Sequence, residues 1–390
     1  MLLQWLLLGC ASDAGPQVDT TEPVAALEVE GGYGGGAIAV GGWLHVWAAV
    51  DPQASVVTGW TGDVELLERP AEWNTRARPP ASPAVVTPVL AEVDAPVVAR
   101  TVGGRRLLVV PADDPVGVVL FFHGAAYSVD ELNDNAARTI VLSLHRAHYA
   151  VIALPSSAEV ASGTGGWSSA AAATNDDLAS VRALLAELEA DGTAPGDLPR
   201  FAWGMSSGGM FAHLAGAELP TAGVAAWCAA GASSVLAQTT TPTAWYLAEH
   251  DSVMVSAVDD ALRYRDALEA RGIATDLWVH SATPLYDQRF ERITGIDPVQ
   301  SAQIARGLRD AGFVDDDDAF TTTGARITAS LAEVDGVSEL DALTRTAVAA
   351  EIEIMAADHE LYDDAAARMV AFLDTVRTSG QHRAEQPVTP

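Results

Sequence analysis

The sequence predicts an α/β fold: a mostly parallel sheet with helices on both faces, carrying a helical insertion and preceded by a small all-β module. Three observations carry that expectation. Residues 107–111, 116–122 and 149–154 are continuous apolar runs rich in β-branched residues, as strands covered on both faces must be. Residues 138–145 and 176–190 repeat apolar positions at helical spacing, and strands alternating with helices build a parallel sheet. Residues 24–92 differ. They form short β-prone runs cut by Gly, Pro and Asp turns.

Composition bounds the rest. The 390 residues are 49% hydrophobic and 19% charged, which is globular and long enough for one large domain and a small one. There are 52 acidic and 22 basic residues, for a formal net charge of −30, and every basic residue is Arg. Such acidity excludes nucleic acid and anionic lipid head groups as expected partners, because phosphate and protein would repel. The run Asp315-Asp316-Asp317-Asp318 reads as a solvated loop.

Along the chain, residues 1–23 comprise an apolar start and a polar linker. Residues 24–92 are the β module, with strands expected at 24–30, 36–40, 43–48 and 84–89. The α/β domain spans 95–380, with further strands at 201–204, 244–248 and 275–279. Residues 285–345 are extra and mostly helical, an insertion of the length usually tied to function or to a separate cap. Residues 381–390 form a tail.

The chemistry centres on Gly204-Met205-Ser206-Ser207-Gly208 followed by Gly209. A strand-like run precedes it and good helix formers follow it. That is the strand–turn–helix setting in which a serine Oγ stands exposed on a strained bend. A serine hydroxyl needs an imidazole to take its proton and a carboxylate to orient that imidazole. Residues 246–251 read as a strand ending in Asp251, and 351–359 as an apolar run ending in His359 with an amphipathic helix behind it. The order Ser206, Asp251, His359 is that of α/β-hydrolases. The 108 residues from acid to base exceed one helix and one strand, and His280 ends the run 276–280, where an uninterrupted fold would put the base. We favour His359, because the helix after it closes the domain; His280 is the alternative. His250, beside Asp251, reads as structural, and Asp358 as too close in sequence to orient His359.

Phe121-Phe122-His123-Gly124 follows a buried strand and resembles the first oxyanion loop of α/β-hydrolases. The resemblance implies backbone amides of Ala125 and Ser207 as the oxyanion hole, with His123 structural. Trp167, Asn175-Asp176-Asp177, Val181 and Gly204–Met210 narrow it, over about 97–260, to secreted esterases of the polyhydroxybutyrate depolymerase and feruloyl esterase type. The implied activity is a serine ester hydrolase with triad Ser206, Asp251 and His359. No metal or organic cofactor is expected, and the substrate is a small-molecule or polymeric ester. A peptidase on the same fold and a non-catalytic surface protein are the alternatives.

Two more resemblances concern the N-terminal part. Residues 6–10, ending Gly9-Cys10, resemble a bacterial lipoprotein signal. This implies acylation of Cys10, export to the cell envelope, and membrane contact only through that anchor. No other run approaches the ~20 apolar residues that span a bilayer. Cys228, in an apolar run, is then expected as an inert core thiol without a disulfide. Gly31–Gly36, residues 46–48 and residues 59–63 resemble the internalin-type B repeat of surface proteins. Trp60 and Asp63 read as module core and turn. Tyr33, Trp43 and Trp60 are the candidates for a carbohydrate or cell-surface contact.

Overall fold

A computed structural model describes residues 24–384; Cys10 and its surrounding signal lie outside the described residues. The chain begins with seven short strands: β1 Val24–Val29, β2 Gly32–Gly34, β3 Gly36–Ala39, β4 Leu44–Ala48, β5 Ser55–Gly62, β6 Asn74–Ala77 and β7 Ala84–Glu92. They form two small sheets, β3-β1-β7-β5 and β2-β4-β6. Strand β5 went unread in the sequence because Gly59 and Gly62 interrupt it, and its pairing with β7 slips between Val57 and Gly59. Trp60 lies in the core of this unit and donates to the Glu72 carbonyl (3.0 Å), while Asp63 accepts from the Val85 amide (2.9 Å).

The main sheet follows. It contains β8 Val98–Val102, β9 Arg105–Val110, β10 Gly117–Phe122, β11 Tyr149–Leu154, β12 Arg200–Met205, β13 Gly223–Trp227, β14 Thr243–Ala248 and β15 Thr275–His280. The spatial order is β15-β14-β13-β12-β10-β11-β9-β8. β9 runs antiparallel to both of its neighbours; the other pairings are parallel. This topology is the α/β-hydrolase fold. Alternation along β10 explains the two covered faces. Val119 and Phe121 enter one core with Ile140, Leu144, Met369 and Leu373, whereas Val118, Leu120 and Phe122 enter the other with Val181, Leu185 and Phe211. Helices α1 Asn135–Arg146 and α10 Ala366–Ala384 cover the first face. Helices α3 Asp176–Ala190 and α4 Ser207–Glu218 cover the second, with the short α2 Ser157–Ser162 nearby. Short α5 Ser233–Leu236 and α6 Ala257–Glu269 pack at the β14 side. No described helix is long and apolar enough to cross a membrane.

After β15 the chain leaves the sheet and, among the described residues, does not return to it. Helices α7 Pro298–Asp310, α8 Gly324–Thr328 and α9 Ala342–Met355 enclose their own apolar core, including Phe290, Ile304, Leu308, Val348 and Ile352. This corrects the sequence reading at its C-terminal border. Residues 351–355 alternate Glu and Ile and read as a strand before His359, but they are the last turn and a half of α9. Val348, Ile352 and Met355 recur at helical spacing against the inserted core, and that burial overrides the local alternation.

The β unit, the helical insertion and the sheet domain are tied by buried charge. Arg289 and Arg292 reach Glu351, Arg292 also pairs with Asp363, and both guanidinium groups lie over the Trp73 ring at 5.2 and 4.1 Å. Trp47 stacks on Tyr286 with centroids 4.0 Å apart, and the Tyr33 hydroxyl donates to Glu291 (2.9 Å). Arg69 and His280 both meet Asp364. Tyr33 and Trp60 are thus spent on internal contacts, while Trp43 stays 42% exposed between Arg76 and Arg78. Removing one partner of a buried ion pair strands the other in low dielectric. Arg292→Ala should therefore lower stability by about 3–5 kcal/mol, read as the denaturant midpoint; a shift typical of surface arginines would show that the network is solvated.

Candidate active site

Ser206 sits between β12 and α4 at φ 53° and ψ −116°, outside the regions that non-glycine residues favour. The glycines around it are required by contact. A Cβ on Gly204 would lie 2.2 Å from the Gly208 carbonyl oxygen, one on Gly208 2.0 Å from that of Phe122, and one on Gly209 2.7 Å from Ala229 Cβ. β12, β10 and the start of α4 therefore approach to a distance that no side chain permits. The Ser206 amide donates to the Trp227 carbonyl (2.9 Å), which pins the bend to β13.

The Ser206 hydroxyl donates to Nε2 of His359 at 2.8 Å. Nδ1–H of His359 donates to Asp251, at 2.9 and 2.8 Å from its two oxygens. An ionised carboxylate only accepts, so Asp251 holds the ring in the tautomer whose Nε2 can take a proton. Asp251 follows β14 and is itself fixed by the Val253 and Met254 amides (2.9 and 2.6 Å). His359 follows a helix, not a strand as the sequence reading has it. Asp358 supplies the stiffness there. Its buried carboxylate accepts from the amides of Ser252 (2.8 Å), His359 (2.9 Å) and Ala325 (3.0 Å), stapling the acid loop, the base loop and α8 together. Burial alone would raise its pKa, but these N–H groups win and hold it below its usual value. Local motif reading misses this role because the partners are distant in sequence.

His280 is brought elsewhere. Its ring nitrogens lie 3.0 Å from Asp364 and 2.7 Å from the Ile354 carbonyl, and the ring stacks on Tyr362 at 4.4 Å. His250 faces the Ala356 carbonyl (3.2 Å). His123 is fully buried, bonded through Nδ1 to the Gly124 carbonyl (2.9 Å), with its other nitrogen 2.9 Å from Glu159.

Ala125 and Ser207 lie against the same glycine. A Cβ on Gly166 would meet Ser207 Oγ at 3.2 Å and Ala125 Cβ at 3.5 Å. Neither amide donates to a backbone acceptor among the described residues, and Ser207 opens α4, where the helix dipole favours negative charge. The preceding amide, Gly124, is already committed to Glu131 (2.6 Å).

Cys228 is buried beside the triad, with Sγ, His359 and Asp251 offering atoms within 4.8 Å of one another. Its thiol donates to the Glu360 carbonyl (3.5 Å), and burial with the nearby Asp251 keeps its pKa well above normal. Both His359 nitrogens are already committed, to Ser206 and to Asp251. The apolar sequence neighbourhood of Cys228 conceals the proximity.

No family model matches the chain, and no curated protein matches it significantly. Among solved structures it is similar to a dienelactone hydrolase from Anabaena variabilis (21% identity, 49% of this chain and 88% of that one, TM-score 0.36). It is also similar to a ferulic acid esterase (10%, 48% and 91%, TM-score 0.37) and to an esterase from Pyrococcus furiosus (12%, 56% and 93%, TM-score 0.37). These likenesses cover about half of the chain; the fold assignment above stands on strand order and direction.

Two acids next to the triad carry a pH signature. Burial raises Glu131 well above 4.5, opposed by the Gly124 amide, and raises Glu360 to about 8, helped by Glu353 and Asp134. Glu72 in the β unit is likewise raised to about 8 by burial. Above their ordinary value and below the folded one, the native state holds protons that the unfolded chain has released, so stability falls as pH rises. His45 and His213, lowered to about 4 by burial, act oppositely only below their ordinary 6.5. Between pH 6.5 and 8 the melting temperature should therefore decline, and Glu360→Gln should flatten that decline. An unchanged slope in the variant would remove Glu360 from this role.

Proposed function

We propose that the chain is a serine hydrolase of carboxylic esters. The observation that carries this reading is the unbroken chain Ser206 Oγ–His359–Asp251 at hydrogen-bond distances, beside two unspent amides. Ser206 Oγ attacks the ester carbonyl while Nε2 of His359 accepts its proton, and Asp251 stabilises the resulting imidazolium. The carbonyl oxygen, now negative, receives the Ala125 and Ser207 amides; each such donor supplies about 3–4 kcal/mol of transition-state stabilisation. The C–O bond to the alcohol breaks as Nε2 passes its proton to the leaving oxygen, leaving an acyl group on Ser206. Water then attacks that acyl carbon with His359 as base, and the carboxylic acid leaves.

p-Nitrophenyl acetate turnover tests this directly. Ser206→Ala and His359→Ala should each lose about 10³-fold or more in kcat. His280→Ala should keep the chemistry while losing stability, since it leaves Asp364 short of a partner. Equal rates for wild type and Ser206→Ala would end the ester-hydrolase reading, and a greater loss at His280 than at His359 would reassign the base. An amide analogue of the same acyl group separates esterase from peptidase.

Export with a lipid anchor on Cys10 belongs to the same reading, supported by residues 6–10. Mass spectrometry of protein from native membranes should find an acylated Cys10 at the mature N-terminus. A retained Met1 would refute it.

A further inference from the structure

Between the sheet domain and the helical insertion lies a cavity of about 430 Å³, within the ~300–1,000 Å³ range of small-molecule sites. Its near wall is made by Tyr127 and Glu131, just beyond the oxyanion loop, and by Glu360 and Leu361, just beyond His359. Its far wall, from Ile293, Thr294 and α9, sets the apolar Leu343, Ala347, Ala350 and Ile354 among threonines and Glu351. No triad or oxyanion-loop amide residue lines it; its link to the triad is Glu360 and Leu361, which follow His359 in the chain.

The charge of this wall is unbalanced. Asp130 and Glu351 also line the cavity, but they are paired with Arg106 and with Arg289 and Arg292. Glu131, Asp134 and Glu360 have no cationic partner among the described residues, and no arginine lines the cavity. Glu131 is 4% exposed, and its Oε1 has no hydrogen-bond partner although Oε2 takes the Gly124 amide. A buried acceptor left open beside a cavity is costly unless a ligand fills it. Mutual repulsion among Glu131, Asp134 and Glu360 adds to what burial already does to raise the pKa values of Glu131 and Glu360. A positive charge in the cavity would relieve both penalties, and the apolar side chains of Ile293, Leu343, Ala347 and Ile354 suit carbon attached to that charge.

We propose that this cavity binds a cationic, apolar-stemmed alcohol portion, so that the preferred substrates are esters of ammonium-bearing alcohols. Glu131 and Glu360 face the charge from inside and Asp134 from the mouth, while the insertion covers the carbon chain. The proposal rests on the ester-hydrolase reading for its chemistry but not for its binding.

The test is a matched pair on the full chain: acetylcholine against its neutral isostere 3,3-dimethylbutyl acetate, compared as the ratio of kcat/KM values. That ratio cancels any loss of folded enzyme. Wild type should favour the cation by about 10-fold or more, one good charge contact being worth that much, and Asp134→Asn and Glu360→Gln should each pull the ratio toward one. A ratio of one or less, with Ser206-dependent turnover of p-nitrophenyl acetate intact, overturns the cation site and leaves the hydrolase reading standing. If no Ser206-dependent turnover exists, calorimetric titration with choline decides. Binding that weakens about 10-fold in the double variant upholds the site without the hydrolase, and no binding overturns both.

Discussion

The structure depends on one close approach. Where β12 ends, the backbone passes within contact distance of the start of α4, and α4 within contact distance of the end of β10, so positions 204 and 208 have no room for a Cβ. That crowding holds Ser206 at φ 53° and ψ −116°, a combination outside the regions non-glycine residues favour. The strain has a geometric return. Ser207 begins a helix whose first amides are unspent, so the proposed nucleophile and one of its two proposed oxyanion donors come from a single turn. They cannot drift apart.

The base is positioned by a different means. His359 lies beyond a long helical excursion, and chain connectivity alone would leave it loosely placed. Asp358 replaces connectivity with three charge-assisted hydrogen bonds to amides of three segments, each worth more than a neutral one. The insertion is thereby coupled to the catalytic loop. Ala325, in the first turn of α8, donates to the same carboxylate that positions Ser252 and His359, so displacing the inserted helices would loosen the hydrogen bond to Ser206.

How much of this was legible in the sequence follows from where information is local. The elbow was legible because its glycines, serine and flanking strand and helix are contiguous. The strands of the central sheet were legible where both faces are covered, as in β10 and β11. Edge strand β8 was not, because its alternating Arg100 and Thr101 look like loop, and β13 was taken only as an apolar run around Cys228. The residues 351–355 misled for a physical reason: Glu351 is a buried partner of Arg289 and Arg292, so a charged residue stands on a core-facing helical stripe and counterfeits strand alternation. Asp358 and Cys228 acquire meaning from partners brought from separate segments, Ser252 and Ala325 for the one, Asp251 and Glu360 for the other.

The acidic composition takes on a second meaning in that light. A net charge of −30 is ordinarily a matter of solubility, and most of the carboxylates do face solvent. Inside, however, the chain treats its acids in two ways. Glu351, Asp363 and Asp364 are each given an arginine or histidine and weld the β unit, insertion and sheet domain together. Glu131, bonded to the Gly124 amide, and Glu360, next in the chain to His359, are given none. Asp358 and Glu72 are buried without a cation too, so the want of one is not peculiar to this wall; what the wall adds is a cavity beside Glu131, whose Oε1 has no hydrogen-bond partner, and that cost is tolerable where a ligand removes it on binding.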